Sequence, residues 1–170
     1  SIKADGQLQE CVGRWNSDGM LEIVAGETRR RAQVYRQEQG ETGLTLRVHV
    51  RDLTDAQALR ISAQENMARK DMTPLEECES MLRMQEAGDT IENIQATFGY
   101  KTAQPVADRI LVAKNLHEES RGLLDSGELS LAQAMVIARA PGKDLQRELS
   151  NWARRGHAAS KLAEVLTSGQ

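Results

Sequence analysis

From Thr54 to the end of the chain the hydrophobic pattern is helical, whereas the stretch before it mixes strand and helix periods. That change of period limits the fold. Apolar residues at helical spacing cannot share one face of a strand, so the second part must be built from packed helices. Its elements are punctuated by start and stop signals. Thr54 with Gln57 forms a capping box for a helix to about Met67, and Thr73, Pro74 and Glu76 open a second helix that ends at Gly88. Further helices are expected from Asp89 or Thr90 to Phe98, Gln104 to Ala113, Glu118 to Ser126, Ser130 to Arg139, Lys143 to Arg155 and Ser160 to Thr167. Pro105 is admissible only in a first helical turn, and Pro141-Gly142 breaks the chain.

Before Thr54, Leu8–Arg14 and Leu21–Ala25 read as strands around Asn16-Ser17-Asp18-Gly19, whose Asp-Gly pair favours a hairpin. A helix is expected from Thr28 to Gln39, stopping at Gly40. Leu44, Leu46, Val48 and Val50 alternate with Thr45, Arg47 and His49, as in a strand with one buried face. The expected fold class is α+β, with a small mixed lobe over 1–70 and an all-α domain over 71–170, the boundary falling between Asn66 and Thr73.

Composition narrows function mainly by exclusion. Aromatics make up 3% of the 170 residues, so the core must be aliphatic. No apolar run approaches the ~20 residues of a membrane span, so no membrane partner is expected, and the cysteine usage suits a cytoplasmic protein. Cys11 and Cys78 have no metal or redox spacing and read as reduced, buried thiols; His49, His117 and His157 form no ligand pattern. The formal net charge of −3 argues against DNA binding by bulk charge and requires any basic surface to be local.

Two segments carry candidate chemistry. In Gly26–Gln33 (GETRRRAQ) a glycine turn joins a strand to a helix and is followed by Arg29, Arg30 and Arg31. A turn that opens a helix presents free N–H groups and the positive end of the dipole, and arginine forks match phosphate. In Glu65–Glu77 (ENMARKDMTPLEE), Glu65 and Asn66 are oxygen ligands suited to a hard cation such as Mg²⁺. Together they point to a nucleoside triphosphate. Separately, each segment reads as solvated helix surface.

Asp89–Ala113 reads as helix, glycine turn, helix, the pattern of a helix-turn-helix. Lys101, Thr102, Gln104, Asp108 and Arg109 are the expected exposed residues, with Gln suited to adenine and Arg to guanine or phosphate; Val106, Ile110 and Leu111 are expected in the core. Short helix pairs of this kind also occur in bundles that bind no DNA.

Taken in order, these segments resemble the ParB/KorB/Noc group of bacterial partition and plasmid proteins. SIKADGQLQ resembles the family's opening segment, DGMLEIVAGETRRRAQ its phosphate-binding motif, and RVHVRDLTDAQALRISAQENMARKDMTPLEE its strand, helix and third nucleotide motif. DTIENIQATFGYKTAQPVADRILVAKNL resembles its helix-turn-helix, and LLDSGELSLAQAMVIA the helical segment after it. The resemblance implies a ParB/sulfiredoxin-like lobe followed by a helix-turn-helix domain, and a CTP-dependent clamp that binds and slides on DNA in plasmid or chromosome segregation.

Carried over by position, Gly26, Glu27, Thr28, Arg29 and Arg31 fall in the phosphate motif. Glu65 and Asn66 fall in the metal and triphosphate motif, with Arg69 at its basic position; Gln9 matches the glutamine near the γ-phosphate. Gln9 and Glu65 are thus the implied catalytic residues of a slow CTPase using Mg²⁺. Lys101, Thr102, Gln104 and Arg109 are the implied DNA contacts. The implied partners are a palindromic double-stranded centromere or operator site, a second copy through the N-terminal lobe, and a ParA-type ATPase in the full-length protein, at the nucleoid or a plasmid. Thr28 stands where the family has the first arginine of its pair, and Glu10-Cys11 where it has proline and an aliphatic residue. These departures keep open a plasmid transcriptional repressor with a decayed nucleotide site. A ParB-like nuclease or NTPase is the other alternative. The family's N-terminal tail and C-terminal dimerisation domain find no counterpart in the sequence.

Overall fold

The structure is a computed structural model that describes residues 9–68 and 72–168. The chain divides into two compact units between Ala68 and Arg69.

The first unit has strands β1 (Cys11–Trp15), β2 (Leu21–Ala25) and β3 (Val48–Val50), and helices α1 (Glu27–Glu38) and α2 (Asp55–Ala68). β1 is central in the order β2-β1-β3, antiparallel to β2 and parallel to β3. The Asp-Gly hairpin forms as its sequence requires. Asn16 Oδ1 accepts from the Asp18 and Met20 N–H groups at 3.0 and 2.8 Å, and Gly19 takes a φ of 72°. Leu44, Leu46 and Val48 are half-buried and Thr45, Arg47 and His49 exposed, so the expected alternation runs through Val48, but Val50, expected on the buried face, is exposed. Only Val48–Val50 is strand, however. In the parallel register Cys11 pairs with Val48, and β1 offers no strand partner for residues before it.

α2 packs against β2. Its start is tied to the sheet by Arg14, which bonds Glu22 at 2.8 Å, Asp55 at 2.6 Å and the Leu53 carbonyl at 3.2 Å. This linkage fixes the helix that carries Glu65. The unit's buried apolar residues are few and small, namely Cys11, Val24, Ala58 and Ala63, while Trp15, Met20, Leu21, Val34, Tyr35 and Val50 are exposed.

Among the described residues, the regular elements of the second unit are all helices: α3 (Pro74–Glu86), α4 (Ile91–Phe98), α5 (Gln104–Asn115), α6 (Glu118–Asp125), α7 (Leu131–Ile137), α8 (Lys143–Arg154) and α9 (Ala159–Ser168). The capping boxes at Thr73 and Ser130 are both closed, each satisfying two otherwise orphaned N–H groups. Its core is aliphatic as composition demands, centred on Val112, Leu116, Leu124, Leu129, Ile137, Leu149 and Leu162, with Cys78 among them. Burial pushes the Cys78 thiol up to about 12, so it is an inert packing residue. Gln146 is buried and cross-links the helix ends, accepting from His117 N–H at 2.9 Å and donating to the Asn115 carbonyl at 3.0 Å. Among the described residues no helix is long and apolar enough to cross a membrane.

Candidate functional site

The strand-to-helix turn at Gly26 is built by three constraints. Gly26 caps α1 with φ 101° and ψ 20°, a backbone conformation that side chains disfavour. A Cβ there would lie 2.6 Å from Cys11 Sγ and 3.0 Å from Arg29 Nη1. Its N–H, which α1 cannot satisfy, donates to Glu65 Oε2 at 2.8 Å across 39 residues. The segments GETRRRAQ and ENMARK, far apart in sequence, therefore meet at one hydrogen bond. A carboxylate sits where the positive end of the helix favours an anion.

Arg29 extends this cluster. It donates to Gln9 Oε1 at 3.0 Å and to the Glu10 carbonyl at 3.1 Å, which brings Gln9 beside the turn. Glu27, on the first turn of α1, accepts from Arg30 at 2.7 and 2.8 Å and from Arg31 at 3.0 Å. The two Arg30 hydrogen bonds first, and then the one from Arg31, hold its carboxyl down at about 2. Thr28, Arg31 and Asn66 are exposed at the surface. Arg69 lies outside the described residues. Among those described, no group of three or more His, Cys, Asp or Glu side chains is placed to hold a metal ion.

In the second unit, α4 is capped by Thr90 and closed by Gly99 at φ 73°, and α5 begins at Gln104 with Pro105 in its first turn. Lys101, Thr102 and Gln104 are exposed, while Val106 and Ile110 are buried and Leu111 packs on the core, as the pattern required.

The expected exposure of Asp108 and Arg109 is corrected by the structure. Arg109 is only 13% exposed. Its guanidinium lies 4.7 Å over the Tyr100 ring, Nη1 donates to the Pro105 carbonyl at 3.2 Å, and Nε lies 3.2 Å from Glu77 Oε1 without hydrogen-bond geometry. Tyr100 also donates its hydroxyl to that Glu77 oxygen. Burial, and then this bond, push the Tyr100 hydroxyl up to about 12. Arg109 thus joins α3, the turn and α5 rather than facing outward. Asp108 accepts from Gln104 at 3.1 Å and Arg139 at 2.7 Å. Arg121 holds the Leu116 and Ala113 carbonyls at the end of α5, with Glu79 at 2.8 Å. Glu77, Tyr100 and Arg139 were not singled out by sequence. Their partners lie on other elements, and no local spacing marks them.

Comparison with known proteins gives the family. The family model of the ParB N-terminal domain matches residues 1–67. A crystal structure of the C-terminally truncated chromosome-partitioning protein ParB from Caulobacter crescentus, complexed to the centromeric parS site, is 32% identical. It covers 95% of this chain and 83% of its own, with a TM-score of 0.59. The chain belongs to the ParB family. The chromosome-partitioning protein Spo0J of Thermus thermophilus is 32% identical over 144 residues, 85% of this chain and 51% of its own. A second Caulobacter crescentus ParB structure, complexed with CTP-gamma-S, is 35% identical over 87% of this chain and 81% of its own. Its TM-score is 0.38. The chain spans about half the length of the curated relatives it matches.

Proposed function

We propose that this chain is the nucleotide-binding and DNA-binding portion of a ParB-type partition protein, acting as a CTP-dependent clamp on DNA. The observation that carries the reading is the 2.8 Å bond from Gly26 N–H to Glu65, which closes a cradle at a helix N-terminus beside three arginines. A triphosphate entering this turn meets backbone donors, the dipole, and the Arg29 and Arg31 guanidiniums. Gln9, bonded to Arg29 beside the turn, is the residue that would orient a water near the terminal phosphate for slow CTP hydrolysis. Glu65 and Asn66, successive on α2, carry oxygen ligands of the kind a hard cation takes. That fits Mg²⁺, which keeps waters and binds through one or two protein oxygens plus phosphates. Its contribution when bound is neutralisation of phosphate charge.

For DNA, the Caulobacter relative complexed to the centromeric parS site supports a centromere-type duplex as ligand, with Lys101, Thr102 and Gln104 at the groove and Arg109 holding the turn behind them. Self-association through the first unit is supported by Trp15 and Leu21, which are exposed and paired across the hairpin and so lie on one face. The ATPase partner and the segregation role belong to the whole protein.

One observation favours a second reading. Arg29, Arg30 and Arg31 are each already paired within the chain, and Thr28 is no arginine, as in a plasmid repressor whose nucleotide site has decayed. Calorimetry with ATP, CTP, GTP and UTP, each with Mg²⁺, separates the two. CTP alone is expected to bind. Equal heats for all four contradict CTP selectivity, and no binding by a chain that still holds duplex DNA leaves the repressor.

A further inference from the structure

Gln104 opens α5, and Asp108 follows it by one turn on the same face. The Gln104 amide donates Nε2–H to Asp108 Oδ1 at 3.1 Å. The same carboxylate oxygen accepts from Arg139 Nη2 at 2.7 Å, and Arg139 is anchored by Nη1 to the Met135 carbonyl at 3.0 Å. A carboxylate only accepts, so the amide edge turned toward Asp108 must be the NH₂ edge. The amide oxygen and the second N–H then face away from the carboxylate. That remaining donor and acceptor pair matches the N7 and N6 edge of adenine in the major groove.

We infer that Asp108, compensated by Arg139, is a positioning residue that sets the Gln104 amide to read adenine. A lone Gln-Asp pair one turn apart is an ordinary helix-surface contact of small worth. Here a third group, delivered from beyond α7, pins the acceptor and cancels its charge. Cancellation matters on a helix that approaches phosphates, where an unpaired carboxylate repels the duplex. The inference rests on the reading of α5 as the groove-entering helix.

The test is selection of the full chain and its variants on a randomised duplex library. The wild-type chain is expected to enrich a consensus, and Gln104→Ala to erase an adenine preference at one position of it. Asp108→Ala is expected to reduce that same preference on the order of 10-fold while sparing the other positions. Asp108→Ser, too short to reach the amide, serves equally if the alanine variant fails to fold. Asp108→Asn, whose amide oxygen still accepts, is expected to keep most of the preference. Arg139→Ala is expected to weaken all sequences alike. If Asp108→Ala leaves the Gln104-dependent position intact, or removes a preference for C·G elsewhere that Asp108 reads itself, the positioning role is overturned. If the wild-type chain enriches nothing, the groove-entering reading of α5 fails and the inference falls with it.

Discussion

Replacing Gly26 by alanine is the sharpest perturbation of the cradle. Two penalties add. An L-residue held at φ 101° pays roughly 1–2 kcal/mol for its backbone. The new Cβ would also sit 2.6 Å from Cys11 Sγ and 3.0 Å from Cys11 Cβ; overpacking of that kind costs about 1–3 kcal/mol. The sum, ~2–5 kcal/mol, is large for a unit whose buried apolar residues are Cys11, Val24, Ala58 and Ala63. Native-state hydrogen exchange of the full chain, read on peptides covering β1, β2 and α1, measures the loss, with α3 to α9 as the internal control. The two penalties separate in a double-mutant cycle. Cys11→Ala removes the sulfur but not the φ strain, so the double variant should fall short of additivity by on the order of 1 kcal/mol. Nucleotide binding should be lost in Gly26→Ala even where the lobe stays folded, because the turn that aims the N–H groups is displaced. Protection within ~0.5 kcal/mol of wild type, or strict additivity with Cys11→Ala, refutes the argument.

Two other perturbations probe the charges. Glu27 titrates at about 2 rather than 4.5, chiefly through Arg30. A depressed carboxyl stabilises the fold above its unfolded value and loses that contribution as pH falls from 4.5 toward 2. Protection of α1 should therefore decline across that window, and Glu27→Gln should flatten the decline; an unchanged profile in the variant contradicts the pairing. Arg109→Ala leaves Glu77 without its cation in a site where the two side chains are 13% and 22% exposed, so a loss of about 1–3 kcal/mol in urea unfolding is expected, with duplex affinity falling equally for all sequences. Lost discrimination at a single base pair with unchanged stability would return Arg109 to the base-reading set.

The fold was legible where local chemistry settles the matter. Thr73, Pro74 and Glu76 mark a helix start without reference to anything distant, and the structure closes that capping box. Asn16 to Gly19 dictates its turn in the same way. The β3 segment shows the limit. Its alternation is real, yet strand length is decided by how far β1 runs alongside it, which no period reveals.

The site divides along the same line. Residue types pointed to Gly26 as a phosphate turn and, separately, to Glu65 as a metal-type ligand, and a 2.8 Å bond between them is what the structure adds. At α5, helical periodicity assigned Val106 and Ile110 correctly but put Arg109 outside. An amphipathic pattern ranks residues by polarity, and arginine ranks as surface. What draws Arg109 inward is a carboxylate on α3 and an aromatic ring in the turn, each reachable only once the helices are packed. Residues whose partners are sequence-local can be read from the chain. Those whose partners arrive through tertiary packing, such as Arg109, Asp108 and Arg139, take their roles from the fold, and they are the residues through which the orientation of α5 and the aim of Gln104 are set.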